Sequence, residues 1–240
     1  MRIKNSTVLI TGACGGIGSS LLEECINKQA KKIYAAGINM DNLNALKIKY
    51  PEKVIPVKLD VTNINDVIAC HEMCSDTDIL INNAGVECAT RFLGEKSLKA
   101  SQFEMSVNYF GVHNLCHTFW ESLKSKNSAC IVNMLSIGSF TIVMKLGTYC
   151  ASKSAAHFLT QSLREESKNT NINIFGVYPG YVDTSMTKNI DVEKATPQQI
   201  AAEVCDGIEK GSLDIFPDKM SKNLAIQINH VNKVFAEFTK

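Results

Sequence analysis

Val8-Leu9-Ile10-Thr11-Gly12-Ala13-Cys14-Gly15-Gly16-Ile17-Gly18 is the stretch on which the reading of the fold turns. The short apolar run Val8-Leu9-Ile10 reads as a strand, and a Gly-rich turn follows it at once. A helical pattern then runs from about Ile17 to Lys28. A strand-to-helix turn of this kind brings backbone N–H groups to the positive end of a helix dipole, and that end attracts pyrophosphate. Glycines are needed because a side chain would block close approach. The spacing is Gly12-x3-Gly16-x-Gly18, not the literal G-x-G-x-x-G string. Alone, such a turn also reads as a plain tight turn. Its position at the first strand-to-helix junction of an α/β chain favours a dinucleotide.

Outward from this turn, apolar runs and helical patterns alternate. Strands are expected at Lys32–Ala36, Val54–Leu59, Asp78–Ile81, Ala129–Met134, Ile172–Tyr178 and Ser212–Phe216. Pro56 gives the third strand an edge-like place, because proline cannot donate to a ladder. Helices are expected at Asp41–Tyr50, Asn65–Cys74, Ser101–Lys124, Thr148–Lys168 and Pro197–Lys210. Strands that are near-continuous apolar runs, alternating with helices, imply a parallel sheet covered on both faces. The expected fold class is α/β, a single doubly wound parallel sheet of Rossmann type. No Pro/Ser-rich linker, repeat or low-complexity tract interrupts the 240 residues, so one domain over 1–240 is expected.

Composition narrows the function classes. Apolar residues make up 45% and charged residues 20%, with a formal net charge of +1. That balance is ordinary for a globular enzyme and calls for neither nucleic acid nor an acidic membrane surface. No stretch of about 20 apolar residues could span a bilayer, and the first residues lack an apolar signal-like segment, so a cytoplasmic location is expected. Nine cysteines, odd in number, scattered and without a C-x-x-C pair, read as reduced thiols. Asn5-Ser6-Thr7 matches a glycosylation sequon but sits at the edge of the first strand. His113 and His117 stand four apart on one helix, yet no third ligand accompanies them, so no metal is expected.

A second constellation carries chemistry. Reducing a carbonyl by hydride leaves negative charge on oxygen, and a proton donor must stand beside it. Tyr149-x3-Lys153 supplies the parts, since i and i+4 share a helix face. A free tyrosine titrates at about 10, and a nearby ammonium, together with the positive ring of an oxidised nicotinamide, is expected to lower that value.

In these motifs the chain resembles the short-chain dehydrogenase/reductase family. Thr11-Gly12-x3-Gly16-x-Gly18 is similar to that family's fingerprint, and Asn82-Asn83-Ala84-Gly85 to its segment after the fourth strand. Asp60, in Leu59-Asp60-Val61-Thr62, stands where the family contacts adenine. Ser136 lies 13 residues before Tyr149, which is the family's Ser-to-Tyr spacing. Ser139 is a rival with the wrong spacing, and Leu135 replaces a second Ser that the family often carries. The resemblance implies a catalytic tetrad of Asn108, Ser136, Tyr149 and Lys153. In it Ser136 polarises the substrate oxygen and Asn108 positions a water that passes protons to the lysine. It further implies cofactor contacts from Gly12, Cys14, Gly15, Gly16, Ile17, Gly18, Asp60, Val61, Asn83, Ala84, Gly85, Tyr149, Lys153, Pro179, Gly180, Val182 and Thr184.

The cofactor implied is NADP or NAD. A carboxylate at the end of the second strand would repel a 2′-phosphate, and none stands at Ala36 or Gly37, which leans towards NADP. No arginine is there to strengthen the lean. By resemblance, residues 184–196 form a substrate lid. Phe140, Met144, Tyr181 and Met186 read either as walls of an apolar pocket or as core. The expected partner is a small-molecule carbonyl or alcohol. A homodimer or homotetramer through the helices at 101–124 and 148–168 follows from the resemblance alone. The alternative reading is a non-catalytic NAD(P)-sensing regulator of the same fold, which would not need the Tyr149–Lys153 pair.

Overall fold

A computed structural model describes residues 1–143 and 145–238, with side chains described as far as Ile228. Seven strands, β1 (Thr7–Thr11), β2 (Lys32–Gly37), β3 (Val54–Lys58), β4 (Ile79–Asn82), β5 (Ala129–Met134), β6 (Ile172–Val177) and β7 (Asp214–Ile215), form one sheet. Its order is β3-β2-β1-β4-β5-β6-β7, and every pairing is parallel. Pro56 does sit in an edge strand, β3.

The helices are α1 (Gly16–Asn27), α2 (Met40–Lys49), α3 (Ile64–Cys74), α4 (Ser97–Met105), α5 (Val112–Lys124), α6 (Gly147–Ser167), α7 (Pro197–Lys210) and α8 (Lys219–Phe238). They cover both faces of the sheet, and the strands' alternating side chains divide into two cores. Val8 and Ile10 meet Leu21, Leu22, Leu43, Ile200 and Val204 from α1, α2 and α7. Leu9 points the other way, onto Val67, Leu115, Phe119 and Leu163 from α3, α5 and α6. All six residues of β5 are buried, which is why its sequence reads as a near-continuous apolar run broken only at Asn133. Each fully buried Leu, Ile or Phe contributes roughly 1.5–3 kcal/mol.

Helix boundaries follow local chemistry. Thr196 caps α7, accepting from Gln199 N at 3.2 Å while Gln199 reaches back, and Pro197 fills the first turn. Gly211 ends α7 at φ 75°, in the left-handed region. The expected 101–124 helix differs in two ways. It begins at Ser97, and residues Ser106–Gly111 form a π-helical turn between α4 and α5. Such turns insert one residue into the helical ladder and often mark working sites. The α8 helix has no counterpart among the expected elements. All nine cysteines are free thiols, with only Cys14 and Cys88 exposed.

The strand order reverses direction between β1 and β4. In open α/β sheets the crevice beyond the carboxyl ends of the strands at such a point is where ligands bind.

Candidate active site

The glycine turn lies at that switch point. Thr11 ends β1, and its hydroxyl accepts from the backbone N–H of Asn83 (3.0 Å) and Ala84 (2.9 Å) beyond β4. The Asn83 amide donates back to the carbonyls of Thr11 (2.9 Å) and Gly12 (3.1 Å). The two strand ends are thereby laced together. Gly12 takes φ 63°, and a Cβ there would stand 3.0 Å from Ala84 Cα. A Cβ on Gly18 would stand 2.2 Å from the Gly12 carbonyl, and one on Gly16 2.8 Å from Thr184 Cγ2. No side chain caps the start of α1, and its first turn holds no acid. The first N–H groups of a helix have no partner inside it, so here they are left for an anion.

A cleft runs from this turn along Gly37, Ile38, Asn39, Asp60 and Val61 to Gly85 and Thr184, with Cys14, Gly15 and Ala84 on its walls. Asp60 holds its own loop, accepting from Thr62 N (2.9 Å) and Thr62 Oγ1 (2.7 Å). Asn39 caps α2 by accepting from Asn42 N at 3.0 Å. Past Gly85 the cleft opens into a second cavity holding Ser136, Tyr149 and Lys153, with Pro179, Gly180, Tyr181, Val182 and Met186 opposite. Ile17, Asn83, Gly85, Thr184 and Met186 line both spaces.

Ser136 follows β5 and starts a short helical turn, Ile137–Ser139. Its Oγ accepts from Gly138 N at 3.0 Å, which leaves its proton to donate. Lys153 is buried, its Nζ donating to the Met134 carbonyl at 2.8 Å and lying 5.8 Å from the centre of the Tyr149 ring. Asn108 sits in the π-helical turn. Its amide donates to Val86 O and Ser152 Oγ, each at 2.9 Å, while its oxygen accepts from Val86 N at 2.9 Å. A Cβ on Gly85 would fall 3.2 Å from Asn108 Oδ1 and 3.4 Å from Lys153 Nζ, so glycine keeps the space between them open.

The electrostatics differ from the expectation that Lys153 lowers Tyr149. Enclosure pushes the Tyr149 phenol well above its ordinary range; a hydrogen bond to Ser136 opposes this, and the carboxylates of Glu87 and Glu104 add to the rise. Burial also brings Lys153 down to about 8 from 10.5, because a charged ammonium is poorly solvated there. The lysine thus gives up part of its charge near neutral pH.

One sequence expectation needs correction. Phe140 does not line the cavity. It packs between His157 (ring centres 4.7 Å apart) and Tyr178 (4.8 Å), in an aromatic cluster with Phe216 behind the site. Ser139 donates to the Lys153 carbonyl at 3.1 Å and is occupied with α6, not with the cavity. Met144 lies outside the described residues. Tyr181 and Met186 are on the cavity wall. Sequence reasoning passed over Glu87, Val143, Leu146, Thr187 and Ile190, which also line it. Glu87 carried a signal, a lone carboxylate in the otherwise apolar run Ala84–Ala89 beside a matched motif.

A family model for short chain dehydrogenases matches residues 6–195. The chain belongs to the short-chain dehydrogenase family, and it is an oxidoreductase. An uncharacterized oxidoreductase of Staphylococcus epidermidis is 29% identical over 207 residues, 83% of this chain and 89% of the relative. The NADP-dependent 3-hydroxy acid dehydrogenase of Schizosaccharomyces pombe is 30% identical over 194 residues, 78% of this chain and 75% of the relative. The crystal structure of a short-chain dehydrogenase from Burkholderia cenocepacia in complex with NADP superposes with a TM-score of 0.90 at 30% identity, covering 98% of this chain and 97% of that one. No described helix of this short-chain dehydrogenase is long and apolar enough to cross a membrane. Among the described residues no group of three or more His, Cys, Asp or Glu side chains is placed to hold a metal ion.

Proposed function

We propose that this short-chain dehydrogenase moves a hydride between NADP or NAD and a small carbonyl or alcohol, with Tyr149 as general acid and base. The observation that carries the reading is the continuity of the two spaces. A cleft with a glycine-lined, uncapped helix start at one end opens directly onto Ser136, Tyr149 and Lys153 at the other. A long dinucleotide fits such a channel, and the glycines leave no room for side chains where its phosphates would approach. NADP is the favoured form, because no carboxylate stands at Gly37-Ile38-Asn39 and two relatives carry NADP in their names.

The bound cofactor supplies or takes the hydride. The remaining work falls to the protein. The Ser136 hydroxyl, one of its lone pairs engaged by Gly138 N–H, donates to the substrate oxygen. Tyr149 gives that oxygen its proton during reduction and takes it back during oxidation. Lys153, charged for most of the time near neutral pH, steadies the phenolate that remains. Asn108 ties the loop at Val86 to Ser152 on α6, so the two walls of the site keep their spacing.

Residues 184–196 serve as the substrate lid of a single 1–240 domain; Met186, Thr187 and Ile190 of this segment face the cavity. Pairing of protomers through 101–124 and 148–168 belongs to the same proposal, since Phe110 and Phe158 stand exposed there at 53% and 69%.

Fluorescence titration with NADPH and, separately, NADH tests the cleft, with tighter binding of NADPH expected. Tyr149→Phe should cut turnover of a ketone by about 10²–10⁴-fold while cofactor affinity stays within a few-fold. Failure to bind either nucleotide at millimolar concentration, or a Tyr149→Phe enzyme of near-normal turnover, would refute the assignment.

A further inference from the structure

Glu87 stands on the wall of the cavity that holds Ser136 and Tyr149, and much of the rest of that wall is apolar. Leu135, Ile137, Val143, Leu146 and Ile190 contribute side chains. The only cation among the described lining residues is Lys153, which is buried and bonded to the Met134 carbonyl. Glu87 forms no salt bridge among the described residues. Its carboxylate accepts a hydrogen bond from the backbone N–H of Ala89 in the same loop, yet a half-buried carboxylate facing a largely apolar cavity remains costly to keep without a cation.

The fold holds this carboxylate in place from both sides. Val86, the residue before it, is bonded through both its N–H and its C=O to Asn108, at 2.9 Å each. Cys88, the residue after it, donates its N–H to Glu104 Oε1 at 2.7 Å. Glu104 and Asn108 are four residues apart at the junction of α4 and the π-helical turn, so one helix face grips the loop on either side of Glu87. Glu104 is itself fully buried, and its second oxygen has no hydrogen-bond partner. Desolvation pushes the Glu87 carboxyl above its ordinary range, the Ala89 N–H opposes this, and the neighbouring charge of Glu104 adds to the rise. The cavity therefore has a fixed acceptor on its wall, with a second acid behind it and, among the described residues, no free cation to neutralise either.

We infer that Glu87 is the specificity-determining residue of this active site, selecting substrates that carry an O–H or N⁺–H donor beside the reacting carbon and turning away carboxylates. The inference rests on the oxidoreductase reading of the site and names its substrate class. A hydroxy ketone or an ammonium ketone would satisfy Glu87 on entering. A keto acid would bring like charge against it in a poorly solvated space, where such repulsion is strong. This sets the protein apart from its 3-hydroxy acid dehydrogenase relative, whose named substrate class carries a carboxyl group.

The test uses four methyl ketones that share one short chain and end in a methyl, a hydroxyl, a dimethylammonium or a carboxylate group. With NADPH, kcat/KM is expected to fall in the order dimethylammonium and hydroxyl, then methyl, then carboxylate. In Glu87→Gln the preference for dimethylammonium over methyl should drop about tenfold or more, as expected for losing a hydrogen bond to a charged group. A readout independent of turnover is the Tm of the NADP-loaded protein. The dimethylammonium ketone should raise it more than the carboxylate ketone does, and Glu87→Gln should remove that difference. A wild type that prefers the carboxylate, or ratios and Tm differences unchanged in Glu87→Gln, would overturn the inference about Glu87 alone. Near-normal turnover by Tyr149→Phe would instead overturn the reading beneath it.

Discussion

Lys153→Met should uncouple the stability of this protein from pH over a defined window. Lys153 is 6% exposed, and its Nζ donates to the Met134 carbonyl at 2.8 Å. Its pKa falls from 10.5 in the unfolded chain to about 8 in the folded one. Below about pH 8 both states carry the proton, and the folded state bears the full cost of the buried charge, roughly 3 kcal/mol. Between those two values the unfolded chain still holds a proton that the folded chain has released. Stability contributed at this site therefore rises with pH through that window. Methionine keeps most of the side-chain volume and has no charge. It leaves the Met134 carbonyl without its donor, at about 1–3 kcal/mol whatever the pH. The variant should thus match or slightly exceed the wild type near neutral pH and fall below it near pH 10. The difference should swing by roughly 2–3 kcal/mol, or about 4–10 °C in Tm for a chain of this size. Thermal unfolding of both proteins, followed by circular dichroism from neutral pH to about pH 10, reads this directly. Two curves that run parallel across the window would refute the argument that Lys153 is a strained, buried ammonium. Turnover should be lost in the variant throughout.

Four further outcomes follow from the geometry. Gly16→Ala should bind NADPH about tenfold or more weakly, because a Cβ there, 2.8 Å from Thr184 Cγ2, stands where glycine leaves room for the phosphates. Gly18→Ala meets the fixed Gly12 carbonyl at 2.2 Å and should lower stability by about 1–3 kcal/mol or more, seen as a fall in the urea midpoint. Phe140→Leu should lower Tm while leaving kcat/KM for a neutral ketone within a few-fold, since Phe140 packs among His157, Tyr178 and Phe216; a large rise in KM would return it to the substrate wall. Ser136→Ala should cut kcat by roughly 10²–10³-fold, the usual effect of removing one donor to a developing oxyanion, and an unchanged kcat would show that its hydroxyl does not touch the substrate oxygen.

Much of the fold was legible because its local signals are strong. Ala129–Met134 is apolar or small along most of its length and lies buried on both faces, so periodicity and environment agree. Pro197–Lys210 begins at a capping box with proline in its first turn and ends at a left-handed glycine, so its ends were written in residue types. The π-helical turn at Ser106–Gly111 was not legible. One residue inserted into a helical ladder shifts the apolar pattern by less than that pattern's own scatter. Yet that turn aims Asn108 at Val86 and Ser152. Phe140 went to the aromatic cluster for a related reason. An aromatic residue fits a core and a pocket wall equally well, and only the position of Tyr178 and Phe216 across space decides between them.

The order of glycines after a first apolar strand, and a Tyr and a Lys one helical turn apart, depend only on neighbours along the chain, and they pointed to the family and its chemistry before any fold was known. What a group does once surrounded depends on residues distant in sequence. Thr11 is joined to Asn83 across 72 positions, and Lys153 reaches Met134 across 19. The sequence by itself therefore determined the alternation of strands and helices, the parallel doubly wound sheet and the family. Only the tertiary structure decided that burial raises Tyr149 and lowers Lys153, that Phe140 is core, and that Glu87 is held against the substrate cavity, because solvation and charge are set by what packs around a side chain and not by what precedes it in the chain.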